Sequence, residues 1–162
     1  MDGTQQVRVT HYNYLNYKNK IMSYIDTRDL IEKIEELKQQ VLDSFLETFE
    51  HYADQTDTFE DILFEEEEIQ NWKEDWLDEI DDICQIEKVE DEVGDEFEHG
   101  CTLIDEDDFE EYVKDLVSDC GELPINLPQY IADNIDWSGV ADDLRVDYSE
   151  VEYQGINYLF RS

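Results

Sequence analysis

Gly100-Cys-Thr-Leu-Ile-Asp-Glu-Asp-Asp-Phe-Glu-Glu-Tyr-Val113 decides the fold class, because the hydrophobic period changes inside one short run. Gly100 to Ile104 reads as a short buried strand. Asp105, with Asp108 three residues on, then caps a helix whose apolar residues Phe109, Tyr112, Val113, Leu116 and Val117 step by three and four. Gly121 ends that helix, and Pro124 and Pro128 fix the loop after it. A strand feeding a helix in this way predicts an α+β protein.

Toward the C-terminus, Ile135-Asp-Trp137 leads into a brief helix through Val140, Ala141 and Leu144. Val151 to Phe160 alternates around Gln154-Gly155 and reads as a terminal β-hairpin. Toward the N-terminus, Ile86 to Glu98 has only Val89, Val93 and Phe97 as apolar points, and its pattern fits a strand, a loop or a frayed helix. Thr58 and Asp61 open a helical pattern at Phe59, Ile62 and Leu63 that runs through Glu65-Glu-Glu-Glu68 into Ile69, Trp72, Trp76, Ile80 and Ile83.

Before it, Asp26 caps a longer pattern: Leu30, Ile34, Leu37, Val41, Phe45, Phe49 and Tyr52 predict one amphipathic helix from about Thr27 to about Tyr52. Val7 to Tyr14 alternates as a strand, with Tyr12, Tyr14 and Tyr17 as bulky cover, and Asn16 to Lys20 reads as a turn. The expected architecture is therefore helix-rich, elongated and acidic. Residues 1–98 supply a strand and long amphipathic helices, and residues 99–162 a small C-terminal α/β module ending in the hairpin.

The chain has 162 residues, with 46 Asp and Glu against 11 Lys and Arg, a formal charge of -35. Its 40% apolar and 12% aromatic content is too high for a wholly disordered acidic tail, so a folded core is expected. This balance excludes DNA, RNA and anionic lipid as direct partners, since each needs a basic face. No run approaches the length of a membrane span, and the first thirty residues lack a secretory pattern. A soluble, cytoplasmic protein is the expectation.

The charge is placed unevenly. Residues 1–40 hold six acidic and six basic side chains, whereas 41–98 hold 24 and 2, and 99–162 hold 16 and 3. A general adaptation to salt or a need for solubility would acidify the whole surface, and the neutral first quarter argues against both. Self-repulsion at this density opposes compaction, so something other than stability retains the charge. Beside the Trp/Ile stripe, the open sides carry Glu67, Glu68, Glu74, Asp75, Asp78, Glu79, Asp81 and Asp82, with Lys73 the one basic interruption. With Glu65, Glu66, Glu90, Asp91, Glu92, Asp95, Glu96, Asp105, Asp107 and Asp108 these form the expected partner-binding surface.

Catalytic and metal motifs find no support. Cys84, Cys101 and Cys120 are odd in number and widely spaced, which suits reduced thiols. His99 and Cys101 make a lone H-x-C pair without the second pair that a zinc site needs. The nearest calcium-loop register starts at Asn134 and places Arg145 where a bidentate Glu is required. A Cys/His nucleophile drawn from Cys101 or Cys120 with His11, His51 or His99 has no accompanying motif, and phosphate-loop, dinucleotide and hydrolase signatures are absent. The expectation is no enzymatic activity, no metal and no cofactor.

A binding protein for a positively charged partner remains. Duplex DNA carries one charge per roughly 1.7 Å of axis, so the -35 excess equals that of about 60 Å of duplex. Carboxylates one helical turn apart repeat at roughly 5.4 Å, near the spacing of phosphates along a strand. Such a face can occupy a groove shaped for DNA and gain the same steering and counterion release.

The C-terminal residues also resemble a known family. Leu103-Ile104, Phe109-Glu-Glu-Tyr-Val113, Leu116, Asp119-Cys-Gly121, Leu123-Pro-Ile-Asn-Leu127, Tyr130-Ile131, Ile135-Asp136-Trp137, Val140-Ala141, Asp143-Leu144, Gly155, Tyr158 and Phe160 follow the order found in the C-terminal domain of ArdA-type antirestriction proteins. The resemblance covers roughly 60 residues. It departs from the family in the Ala132-Asp-Asn134 spacer, in Trp137 where Tyr is usual, in Gly139-Val140, and throughout residues 1–98. The resemblance implies a phage or mobile-element DNA mimic, commonly an elongated homodimer, that fills the DNA cleft of a type I restriction-modification enzyme in the host cytoplasm. Leu123, Pro124, Tyr130, Asp136, Trp137, Asp143 and Leu144 are then structural or dimer-contact residues. The alternative is an acidic module that sequesters basic host DNA-binding or nucleoid proteins.

Overall fold

The structure is a computed structural model that describes residues 15–17, 20–121, 123–124 and 126–161. Two short strands, β1 (Leu15–Tyr17) and β2 (Lys20–Met22), pair antiparallel, with Tyr17 opposite Lys20. Asn16 and Lys20 therefore lie in strands rather than in a turn. The strand expected over Val7 to Tyr14 lies outside the described residues.

The central element is a four-stranded antiparallel sheet of β3 (Tyr24–Asp26), β4 (Thr102–Asp105), β5 (Tyr148–Tyr153) and β6 (Ile156–Arg161), in the order β3-β4-β6-β5. The sheet takes β3 from before residue 98 and its other three strands from after it. β5 and β6 form the expected hairpin, with Tyr153 opposite Ile156. Gln154 and Gly155 both have positive φ, 51° and 75°, the backbone that a two-residue hairpin turn requires.

Helix α1 (Thr27–Thr48) starts where Asp26 accepts a hydrogen bond from the Arg28 N–H, and it buries Leu30, Ile34, Val41, Leu42 and Phe45. It ends four residues short of the expected Tyr52. Phe49 leaves helical backbone at φ -123°, ψ 61°, and a 3-10 turn, Glu50–Tyr52, follows. The apolar period continues past the break because Phe49 and Tyr52 still pack on Phe45, at ring distances of 5.1 and 5.7 Å. Trp72 closes this group edge-on, 5.4 Å from Phe45, and donates Nε1–H to the Ser44 hydroxyl.

The single helix expected from Phe59 to Ile83 is instead broken three ways. The Thr58/Asp61 capping box forms, but it caps one 3-10 turn, Phe59–Asp61, after which Ile62 is extended. Glu65 to Glu68 lie in turns, and helix α2 (Gln70–Glu74) is separated by Asp75 and Trp76 from helix α3 (Leu77–Val93). The bends bring Ile62, Ile69 and Trp72 into one core. Residues 86–98 are two helices joined by a turn: α3 runs to Val93 and, after Gly94 and Asp95, helix α4 (Glu96–His99) follows, burying Val89, Val93 and Phe97.

A 3-10 turn, Glu106–Asp108, leads into helix α5 (Phe109–Asp119), and α6 (Gln129–Ala132) and α7 (Trp137–Leu144) complete the helices. Cores lie on both faces of the sheet. Leu103, Tyr158 and Phe160 face α1 and α3, while their neighbours Ile104 and Leu159 face Phe109, Val113 and Val117 of α5 and Ala141 of α7. The protein is thus α+β and helix-rich, closed by a C-terminal hairpin. Among the described residues no helix is long and apolar enough to cross a membrane.

Candidate functional site

The carboxylates separate into those that hold the fold and those that face solvent. Asp108 belongs to the first group, against expectation: it is buried, and its carboxylate accepts the Ser23 N–H at 2.9 Å. The sequence counts it with the acidic surface, but Ser23, the residue before β3, donates to it. Asp82 is half-buried and pairs with Lys33 of α1 at 2.5 Å while accepting from the Tyr153 hydroxyl and the Gln154 amide. It therefore joins α1, α3 and the hairpin. Asp105 is half-buried and accepts the Asp107 N–H, which opens the 3-10 turn before α5.

Glu68 is the one tethered member of the four-glutamate run, accepting from the Tyr52 hydroxyl at 2.6 Å and lying 3.2 Å from His51 Nε2. The Tyr52 bond, then His51, holds its carboxyl below the usual range. Its neighbours Glu65, Glu66 and Glu67 are exposed, as are Glu74, Asp75, Asp78, Asp81, Glu90, Asp91, Glu92, Asp95, Glu96 and Asp107, and Glu79 is half-exposed. These residues form the open acidic surface.

The basic side chains do little to neutralise it. Lys38 bridges Glu60 and Glu87 at 2.7 and 2.8 Å, Lys114 pairs with Glu110 and Glu111, and Arg145 pairs with Glu106 and Glu150. Burial works against the Lys38 charge, yet the two carboxylates raise its pKa, and Lys38 in turn lowers that of Glu60. Lys73 lies 5.3 Å from the centre of the Phe64 ring. Lys88 of α3 reaches Glu92 at 3.8 Å, a second basic interruption that the sequence reading did not place on this face. Nothing in the spacing of Lys33, Lys38, Glu60 and Glu87 marks them as clamps, because the sequence does not show that α1 and α3 lie side by side.

Helix α3 is about 25 Å long by its rise per residue. Apart from the clamped Asp82 and Glu87, it offers Asp78, Glu79, Asp81, Glu90, Asp91 and Glu92. They fall in two groups, 78–81 and 90–92, about 14 Å apart along the axis, and average roughly one carboxylate per 4 Å, against about 3.4 Å per phosphate on one DNA strand.

The C-terminal motif residues divide as well. Trp137 and Leu144 pack with Leu123 against the second core, and Asp136 caps α7 by accepting the Gly139 N–H at 3.1 Å. Tyr130 and Ile131 instead stand 72% and 42% exposed, and Pro124 and Asp143 are exposed.

Cys84 and Cys120 are exposed, and burial pushes the Cys101 thiol up. The His99 Nδ1 lies 2.7 Å from the Asp95 carbonyl. Among the described residues no group of three or more His, Cys, Asp or Glu is arranged to hold a metal. No protein family, curated protein or solved structure matches the chain.

Proposed function

We propose that the protein is a DNA mimic: an inhibitor that occupies the DNA-binding cleft of a host defence enzyme, a type I restriction-modification enzyme first among them. The carrying observation is that the acids left over once the fold has used its share sit together along α3 and the turns before it, at a density close to that of a phosphate strand. The acidic surface sheds its associated cations as the enzyme's basic cleft neutralises it, as DNA does. Occupancy is the mechanism, and no bond is made or broken. The ArdA resemblance supplies the target class, and the exposed Tyr130-Ile131 pair supplies a contact for the homodimer that such mimics form.

Transformation of unmodified plasmid into hosts that each carry one restriction system tests this reading. Expression of the protein is expected to rescue transformation in type I hosts, and the purified protein to displace DNA from that enzyme stoichiometrically. Absence of rescue in every host, with equal binding to unrelated basic proteins, would instead identify an acidic module that sequesters nucleoid-type proteins.

A further inference from the structure

A cavity of about 410 Å³ opens between β3, the first turn of α1 and the outer side of α5. That volume lies in the range of sites that take a small ligand or one large side chain. Tyr24 and Tyr112 line it as an edge-to-face pair, 6.3 Å between ring centres and 73° between planes, and Leu116 adds an aliphatic wall. Its four carboxylates come from three elements: Asp26 ends β3, Asp29 lies in the first turn of α1, and Asp115 and Asp119 lie on α5.

This combination selects a ligand chemistry. Carboxylates repel anions, and the charged wall disfavours a purely apolar guest. The described residues hold no cluster suited to a hard metal ion. Aromatic faces with nearby carboxylates instead suit an organic cation, and a planar guanidinium most of all, because it stacks on rings and binds carboxylates through two parallel N–H bonds. The chain already demonstrates the fit at one edge. Arg28 grips Asp26 in this two-pronged way, Nε–H to Oδ1 at 2.9 Å and Nη2–H to Oδ2 at 2.5 Å, which leaves Asp29 and Asp119 to meet an incoming cation.

We infer that the cavity between β3 and α5 is a receptor for an arginine side chain presented by the protein's partner. The identity of the carrier rests on the DNA-mimic reading, since a protein that grips DNA presents arginines to phosphates and bases. The cavity's preference for guanidinium does not rest on it. Tyr24, whose pKa burial and then the Asp115 charge push up to about 12, stays an uncharged ring at neutral pH.

The test is a titration of the full chain with N-acetyl-arginine amide, followed by the ring-proton NMR signals of Tyr24 and Tyr112. Saturable shifts are expected, and the neutral isostere N-acetyl-citrulline amide should give none. The D29N/D119N pair should weaken arginine binding about tenfold, the loss expected when charge-assisted contacts go. A control pair, D54N/D57N, removes the same charge from exposed positions outside both the cavity and the open acidic surface and should leave binding unchanged. Equal binding by citrulline, or equal weakening by the control pair, would overturn the proposal, as would the absence of any tyrosine shift. The two readings fail separately: wild-type protein that takes arginine but rescues no host refutes the mimic alone, and rescue without arginine binding refutes the cavity alone.

Discussion

The Asp108 carboxylate is buried and accepts the Ser23 N–H, so it serves the fold, whereas Asp91 on α3 is exposed. Asp108→Ala is therefore expected to lower unfolding free energy in urea by about 1–3 kcal/mol, because it strands a donor in the interior. Asp91→Ala should move it by no more than about 0.5 kcal/mol. Equal effects would show that the two acids share one environment. Two phenols report on the same packing through pH. Tyr24 is pushed up to about 12 by burial first, and Tyr52 to about 12 by its bond to Glu68. Both folded values lie above the ordinary tyrosine pKa of about 10. Folding thus favours the protonated phenols: their contribution is complete below about pH 10 and is lost as the pH rises through about 12. A near-ultraviolet absorbance titration should show a late fraction beyond the main tyrosine step, and Tyr52→Phe should remove part of it. A late fraction unchanged in that variant would mean that the Tyr52–Glu68 bond is not made in solution.

The joint between α1, α4 and β4 turns on one hydroxyl. Thr27 Oγ1 donates to the Phe97 carbonyl at 2.7 Å and accepts the Cys101 N–H at 2.8 Å, while the Thr27 N–H donates to the Cys101 carbonyl. Thr27→Val keeps the shape and removes both side-chain bonds, and is expected to cost about 1–3 kcal/mol by chemical denaturation. Thr27→Ser keeps them and should cost about 1 kcal/mol or less, the value of a buried methyl group. A valine variant as stable as the serine one would show that the hydroxyl contributes nothing to the joint. Nothing about Thr27 was legible in the sequence, where it is one residue after an N-cap; its partners are 70 and 74 positions away. What was legible is local. The Asp26 cap, the hairpin at Gln154-Gly155 and the strand-to-helix change after Gly100 are each written within a few residues. The 58–83 helix was misread because period records which side chains face inward and not where the backbone bends, so Ile62, Ile69 and Trp72 fit both a straight helix and the bent path. The acidic surface was legible as composition, while the removal of Asp82 and Asp108 from it depends on contacts with Lys33 of α1 and with Ser23, which lie far away in sequence.

A chain of net charge -35 folds around a four-stranded sheet, and among the described residues several of its few basic side chains join separate elements. Lys33 and Lys38 hold α3 to α1, and Arg145 ties the turn before α5 to β5 through Glu106 and Glu150. The remaining carboxylates repel one another across solvent, and this repulsion is what dissolved salt screens most effectively, with a Debye length of about 8 Å at physiological ionic strength. The melting temperature is therefore expected to rise from low salt to about 0.2 M sodium chloride, since the unfolded chain spreads the same charges farther apart. The clamps oppose this only weakly, because they are short and half-shielded. Binding to a basic cleft should respond in the opposite direction, with affinity falling as salt rises, because counterion release is the driving term. Opposite slopes measured on one preparation would tie both effects to the open acidic surface. A melting temperature that stays flat or falls over this range would mean that the carboxylates are already compensated in the folded chain, and it would remove the charge density on which occupancy of a DNA cleft depends.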